Sequence, residues 1–148
     1  MRLRIAIQRE PFDLGAEVAL LADGGDTGAI ASFTGHVRAQ KGLTSLTLEH
    51  YPGMTEAQIT RMAQEAASRW ALTGITVIHR VGTLVPGEAI MLVAAASAHR
   101  AEAFAACEFL MDYLKTQAPF WKEETRDDGK SWVEQRASDE EAVARWKR

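Results

Sequence analysis

Residues 97–124, SAHRAEAFAACEFLMDYLKTQAPFWKEE, decide how this chain is read. Ala103, Phe104, Cys107, Leu110, Met111 and Leu114 recur at intervals of three and four, which puts them on one face of an α-helix and predicts that they pack inward. Ser97 is a residue type that caps helix starts. Pro119 cannot continue helical hydrogen bonding, so the helix is expected to end near Gln117. Four cations accompany this helix: His99 and Arg100 at its start, and Lys115 and Lys122 on either side of the Ala118-Pro119-Phe120-Trp121 corner. By helical angle Lys115 sits at the edge of the apolar face and Arg100 falls within it, where an unpartnered charge is costly. Snorkelling of the long stems accounts for either cation alone. Lys122, just beyond an aromatic corner expected to be anchored by burial, tips the reading toward an anion site.

Arg100 and Lys115 are fifteen positions apart. At a rise of ~1.5 Å per residue their backbones lie about 22 Å apart, too far for one small metabolite to touch both. Either the two ends serve different sites, or a second copy of the chain brings its His99 and Arg100 to Lys115 and Lys122 of the first.

Outward from this segment, the chain of 148 residues is expected to form one domain with a single core. A net charge of −3 argues against broad nucleic-acid affinity, which needs a basic surface, so the anion site must be local. The longest apolar run, residues 89–96, is too short to span a bilayer, and the N-terminus alternates like a strand rather than running apolar like a signal peptide. The single cysteine excludes an internal disulfide and fits a reducing cytoplasm.

Leu3, Ile5 and Ile7 alternate on a first strand. Asp13 is placed to cap a short helix through Leu21, with Leu14, Val18 and Leu21 inward, before a turn at Asp23-Gly24-Gly25-Asp26. Residues 29–38 read as a buried strand, and Leu46, Leu48 and His50 alternate on the next, so these two are expected to pair antiparallel. Thr55 with Gln58 resembles a capping box for a helix with Ile59, Met62, Ala63, Ala66 and Trp70 inward, closed by Gly74. Ile75, Val77, His79 and Val81 alternate on a strand. A type II turn at Val85-Pro86-Gly87 follows, and residues 89–96 form a strand buried on both faces. Asp127-Asp128-Gly129 turns into a short strand around Trp132, Val133 and Glu134, and Ser138 with Glu141 caps a last helix carrying Val143 and Trp146. Strands in adjacent pairs with packed helices give an α+β class with mainly antiparallel sheet.

The glycines of GGDTGAI lack the lysine and hydroxyl of a phosphate-binding P-loop, and His36, His50, His79 and His99 show no helical metal-site spacing. Cys107, on an apolar helix face, reads as a small buried hydrophobe rather than a nucleophile. Arg38 with His36 at a strand end becomes a phosphate ligand if the other cations join it, since guanidinium donors match phosphate oxygens. Lysines gathered with other cations are candidates for acid–base work as well as binding.

FTGHVR at 33–38, LTLEHYPGMTE at 46–56, HRVGTLVPGE at 79–88, SAHR at 97–100 and MDYLKTQAPFWKEE at 111–124 together resemble the catalytic (large) subunit of molybdopterin synthase, over nearly the whole chain. The resemblance implies a single α/β-hammerhead-like domain over residues 1–148. It also implies a homodimer core of a heterotetramer, in which each large subunit binds a small ubiquitin-like sulfur carrier. The carrier's C-terminal thiocarboxylate would donate sulfur to cyclic pyranopterin monophosphate, forming the dithiolene of molybdopterin with no metal and no resident cofactor. Lys115 and Lys122 are then the catalytic residues. His36, Val37, Arg38, His99, Arg100, Glu123 and Glu124 join them in binding substrate, with Phe33 and Met111 lining the pocket, and His99 and Arg100 come from the neighbouring protomer. The family motif often reads Gly-Lys-Val-Arg where this chain has Gly35-His36-Val37-Arg38. Two rival readings are a non-catalytic scaffold that docks a ubiquitin-like tail and a phosphate-ester hydrolase. The second lacks a metal set or an obvious base pair to activate water.

Overall fold

The two most apolar strands, β4 (Leu72–Arg80) and β6 (Ala89–Ser97), form the middle of a four-stranded sheet of order β1-β4-β6-β2, flanked by β1 (Arg2–Gln8) and β2 (Ala29–His36). Their apolar runs follow from burial on both faces. Ile75, Val77, Met91, Val93 and Ala95 point to one side, while Ile78, Leu92, Ala94 and Ala96 point to the other. The first side is covered by α2 (Met54–Arg69) and α3 (Arg100–Gln117), which contribute Ile59, Met62, Ala63, Ala66, Ala103, Ala106, Phe109 and Leu110. The second side is covered by α1 (Leu14–Ala22) through Leu21, with Phe12 beside it. The computed structural model describes residues 1–133 and 137–147.

A second sheet has the order β5-β3-β7-β8, with β5 (Gly82–Leu84), β3 (Leu43–His50), β7 (Phe120–Arg126) and β8 (Gly129–Trp132). Val37, Leu46, Leu48 and Leu84 form the small core beneath it, with Ile90 of β6 reaching across from the first sheet. Among the described residues β1 and β4 are the one parallel pair, so the expected α+β class with mainly antiparallel sheet holds. The chain closes with α4 (Ala137–Ala144) and a 3₁₀ turn, Arg145–Lys147. Trp146 packs edge-on against Trp70 and Phe109, its indole N–H donates to Asp112 at 2.6 Å, and Arg145 pairs with Asp112 at 2.8 Å. Glu134 and the side chain of Ser138 lie outside the described residues, and with them the strand position and the cap expected there.

Several expectations need correction. Residues 29–38 do not form a buried strand paired with β3. β2 is the edge of the first sheet, where Ala31 is its one buried residue and Phe33 is 41% exposed, and β3 pairs instead with β5 and β7. On α3 the buried aromatic is Phe109, and Phe104 is 65% exposed. A face wider than the counted stripe, including Ala106, meets the sheet. Leu14 on α1 is also exposed. Ser97 is the last residue of β6 rather than a helix cap: its hydroxyl donates to the Ala71 carbonyl at 2.7 Å, and His99 takes the N-cap position. At α2 the Glu56 carboxylate, not Gln58, accepts from the Gly53 backbone N–H, at 2.9 Å. Gly74 lies within β4, not at the helix end.

Candidate functional site: a cationic cleft where the two sheets meet

Phe120–Arg126 is a strand, not only a corner, and this fact builds the site. Side chains alternate along β7, so Phe120, Lys122 and Glu124 face one side while Trp121 and Glu123 face the other. The first set lines a cleft of about 450 Å³, together with His36, Val37 and Arg38 at the end of β2, Ile90 at the start of β6, and Lys115 and Ala118 at the end of α3. An inner recess of about 110 Å³ shares His36, Ile90, Lys115, Ala118, Phe120 and Lys122 with this cleft and adds Phe33, Gly35, His79, Met91 and Leu114.

The end of β2 is held to the β5–β6 turn. The Val37 N–H donates to Glu88 O at 2.9 Å, and the Gly87 N–H donates to Val37 O at 2.7 Å. Gly87, at φ +95°, adopts the left-handed conformation that the expected type II turn requires. A register shift at Gly35/His36 ends the pairing of β2 beside the cleft, a position where bulges commonly re-aim side chains. His36 Nδ1 lies 3.4 Å from Gly87 O, and its Nε2 lies 3.2 Å from the Thr34 hydroxyl. A carbonyl only accepts, so Nδ1 carries the proton of this contact and the hydroxyl can donate to Nε2.

The lysine pair is set by the connection between α3 and β7. Lys115 lies in the last turn of α3 and is exposed, whereas Lys122 is half-buried. Between them Thr55, fully buried, donates its hydroxyl to Pro119 O at 3.0 Å and accepts from the Tyr51 N–H at 3.0 Å. The Phe120 ring lies parallel to the His79 ring, 16° between planes and 3.7 Å between centroids. Of the corner expected to be anchored by burial, Phe120 is held in this way, but Trp121 is 42% exposed and stacks between Tyr51 and Trp132.

Two carboxylates also line the cleft. Glu124 is paired with Arg126 at 2.7 Å, and Arg126 also donates to Gln40 at 2.8 Å and to Lys41 O at 3.0 Å. Asp139 of α4 is the second. Against them stand Arg38, Lys115 and Lys122.

The structure therefore brings together His36, Val37, Arg38, Lys115, Lys122, Glu124 and Phe33 of the expected site residues. Glu123 is not among them, because alternation turns it to the opposite face, where it lies 4.0 Å from Lys130. Met111 packs against the main core without lining the cleft. His99 and Arg100 sit at the far end of α3, exposed, and do not line the cleft of their own chain. Cys107 is buried, its thiol 3.8 Å from Val93 O, and burial pushes its pKa up to about 11, which leaves it protonated at neutral pH. Among the described residues no cluster of three potential metal ligands occurs.

His79 was not anticipated as a site residue. Burial, and then the nearby Lys122 and Lys115 charges, lower its pKa to about 3 against the opposing effect of its bond to the Arg80 carbonyl. Its place in an apolar alternation after Ile75 and Val77 made it resemble core. The available signal was an imidazole where an aliphatic side chain would fill the same space.

The fold is that of an α+β protein whose cleft gathers lysines from α3 and β7. Residues 7–117 match the family described as MoaE protein. The molybdopterin synthase catalytic subunit of Mesorhizobium japonicum is 56% identical over 147 residues, covering 97% of this chain and 92% of that one. The solved molybdopterin biosynthesis MoaE protein from Burkholderia ambifaria is 49% identical with a TM-score of 0.86, over 100% of this chain and 99% of that one. Molybdopterin synthase from Staphylococcus aureus is 30% identical with a TM-score of 0.80, over 86% and 95%. The chain belongs to the MoaE family.

Proposed function

We propose that this chain is the catalytic subunit of molybdopterin synthase, a sulfurtransferase that moves sulfur from the C-terminal thiocarboxylate of a small ubiquitin-like subunit to cyclic pyranopterin monophosphate. The observation that carries the site assignment is the convergence of Arg38, Lys115 and Lys122, from β2, α3 and β7, on one cleft. Both reactants are anions, and the cleft offers them fixed cations.

In this reading the carrier's tail enters the cleft beside Lys115, and Arg38 holds phosphate oxygens. The thiocarboxylate sulfur attacks a carbon of the pterin side chain and displaces an oxygen; water then cleaves the carrier's acyl–sulfur bond, leaving the sulfur on the pterin and a carboxylate on the carrier, and in both steps negative charge grows on oxygen. Lys115 and Lys122 stabilise that charge within a partly enclosed site, where such interactions are stronger than in water. The buried, protonated Cys107 takes no part, so sulfur arrives on the partner.

His99 and Arg100 act on the cleft of a second copy, since α3 runs unbroken from Arg100 to Gln117 and holds them away from their own. The assembly is a homodimer of this chain carrying two small subunits, each large subunit working as one domain over residues 1–148. Among the described residues no helix is long and apolar enough to cross a membrane, and the reaction is assigned to the cytoplasm.

Reconstitution tests this directly. Purified chain, thiocarboxylated small subunit and the cyclic pterin are expected to yield dithiolene product. Tight binding of the small subunit without product would instead make the chain a docking scaffold.

A further inference from the structure

The backbone of the corner between Lys115 and Lys122 is tied to β3, where His50 pairs with Phe120 and Leu48 with Lys122, and Lys122 O accepts from the Val133 N–H at 3.0 Å. Pro119 has no N–H to donate. The Phe120 N–H bonds to Ala118 O at 2.9 Å, and the Thr55 hydroxyl holds Pro119 O. Neither of these reaches the Phe120 side chain, whose ring lies face to face with His79 at 3.7 Å. Lys122 follows Phe120 by two positions on the same face of β7, so the ladder with β3 sets the height of the Lys122 side chain and the seating of the Phe120 ring sets the tilt of that face toward the recess.

His79 itself is buried and hydrogen-bonded. It is 4% exposed, lies on β4 between Ile7 of β1 and Met91 of β6, and its Nδ1 is 2.8 Å from Arg80 O. Because the carbonyl only accepts, Nδ1 carries the hydrogen. The imidazole also borders the inner recess beside Lys115 and Lys122. A leucine would suit the apolar surroundings but would lose both the bond to Arg80 O and the flat face.

We propose that His79 is a positioning residue for the sulfur-transfer site: its ring, stacked on Phe120, seats the start of β7 so that Lys122 enters the inner recess alongside Lys115. An uncharged ring suits this task, since a cation there would repel both lysines and compete for the anion. The inference rests on the function proposed above and adds to it a residue that acts through another.

Two variants isolate the flat face. His79→Phe and His79→Leu both remove the ring nitrogens and both suit an apolar core, but only the first keeps an aromatic ring against Phe120. Each is assayed as the full chain with thiocarboxylated small subunit and cyclic pterin, beside wild type and Lys115→Ala, with folding checked by thermal melting. His79→Phe is expected within about threefold of wild type, and His79→Leu about 10- to 100-fold lower in kcat with little change in KM, as for a misplaced catalytic group. Equal activity of the two variants, whether both high or both low, would overturn the proposal. Equal high values would make His79 ordinary core, and equal low values would assign the role to the ring nitrogens. An active wild type with an inactive Lys115→Ala keeps the site assignment standing whichever way His79 falls.

Discussion

Replacing Lys115 with alanine separates catalysis from folding because of where Lys115 stands. Its side chain is exposed at the last turn of α3, while the neighbouring Leu114 is buried and untouched by the change. Two small costs are expected: about 0.5 kcal/mol or less for a surface substitution, and about 0.3–1 kcal/mol for losing a cation near a helix C-terminus. Together they lower Tm by only a few degrees, at about 2–4 °C per kcal/mol for chains near this size. The catalytic cost is of another order. Removing one preorganised group that faces developing charge typically lowers kcat by about 10²–10³, or about 2.7–4 kcal/mol. The assay is single-turnover formation of dithiolene with thiocarboxylated small subunit in excess, alongside a melting curve and a binding titration with the small subunit. Product formation is expected to fall at least a hundredfold, with melting and partner binding nearly intact. Turnover above about a third of wild type would show that Lys115 does not face the developing charge, since removing a fixed cation from that charge costs far more.

Cys107→Ala should leave sulfur transfer unchanged and cost about 1 kcal/mol of stability, and mass spectrometry should find no persulfide on the wild-type thiol under turnover. Phe109→Ala, which empties the centre of the Trp70-Phe109-Trp146 cluster, should cost about 3–5 kcal/mol by denaturant melting. In acid, His79 works against the fold. Its native pKa of about 3 lies below the unfolded value near 6.5, so the unfolded chain binds more protons between these limits and stability falls as pH drops. Going from pH 7 to pH 5 should cost ~2 kcal/mol through this group alone, and urea melts of His79→Phe should lack that increment. Mixed dimers of Lys115→Ala and Arg100→Ala chains should regain part of the activity each homodimer lacks, because one of the two clefts then holds both cations; product assays on purified mixed dimers showing no recovery would place Arg100 outside the cleft.

What the sequence made legible was governed by periodicity. The stripe on α2 and the double-sided burial of β6 needed no tertiary information, and Lys115 and Lys122 were marked because cations flanked an apolar corner. β7 was not legible as a strand. Its run Phe120-Trp121-Lys122-Glu123-Glu124-Thr125-Arg126 alternates between a cleft and an open face, and neither side is apolar enough to announce the period. That omission also hid the fate of Glu123, which the strand turns away from the cleft. β2 and β3 were expected to pair because they are neighbours in sequence, but the chain crosses from one sheet to the other between them. Thr55 looked like a helix cap because Gln58 follows it by three positions; in the structure its hydroxyl accepts from the Tyr51 N–H, and its second bond, to Pro119, spans 64 positions and is invisible to local pattern.

The most direct measurement is a crystal structure of this chain with the small subunit's C-terminal tail and the cyclic pterin phosphate bound. The expected result is the tail's terminal carboxyl group between Lys115 and Lys122, the phosphate at Arg38, and His99 and Arg100 of a second copy closing the far side. A tail seated on the exposed Tyr51-Trp121-Trp132 face, with the cleft between β2, α3 and β7 untouched, would contradict it.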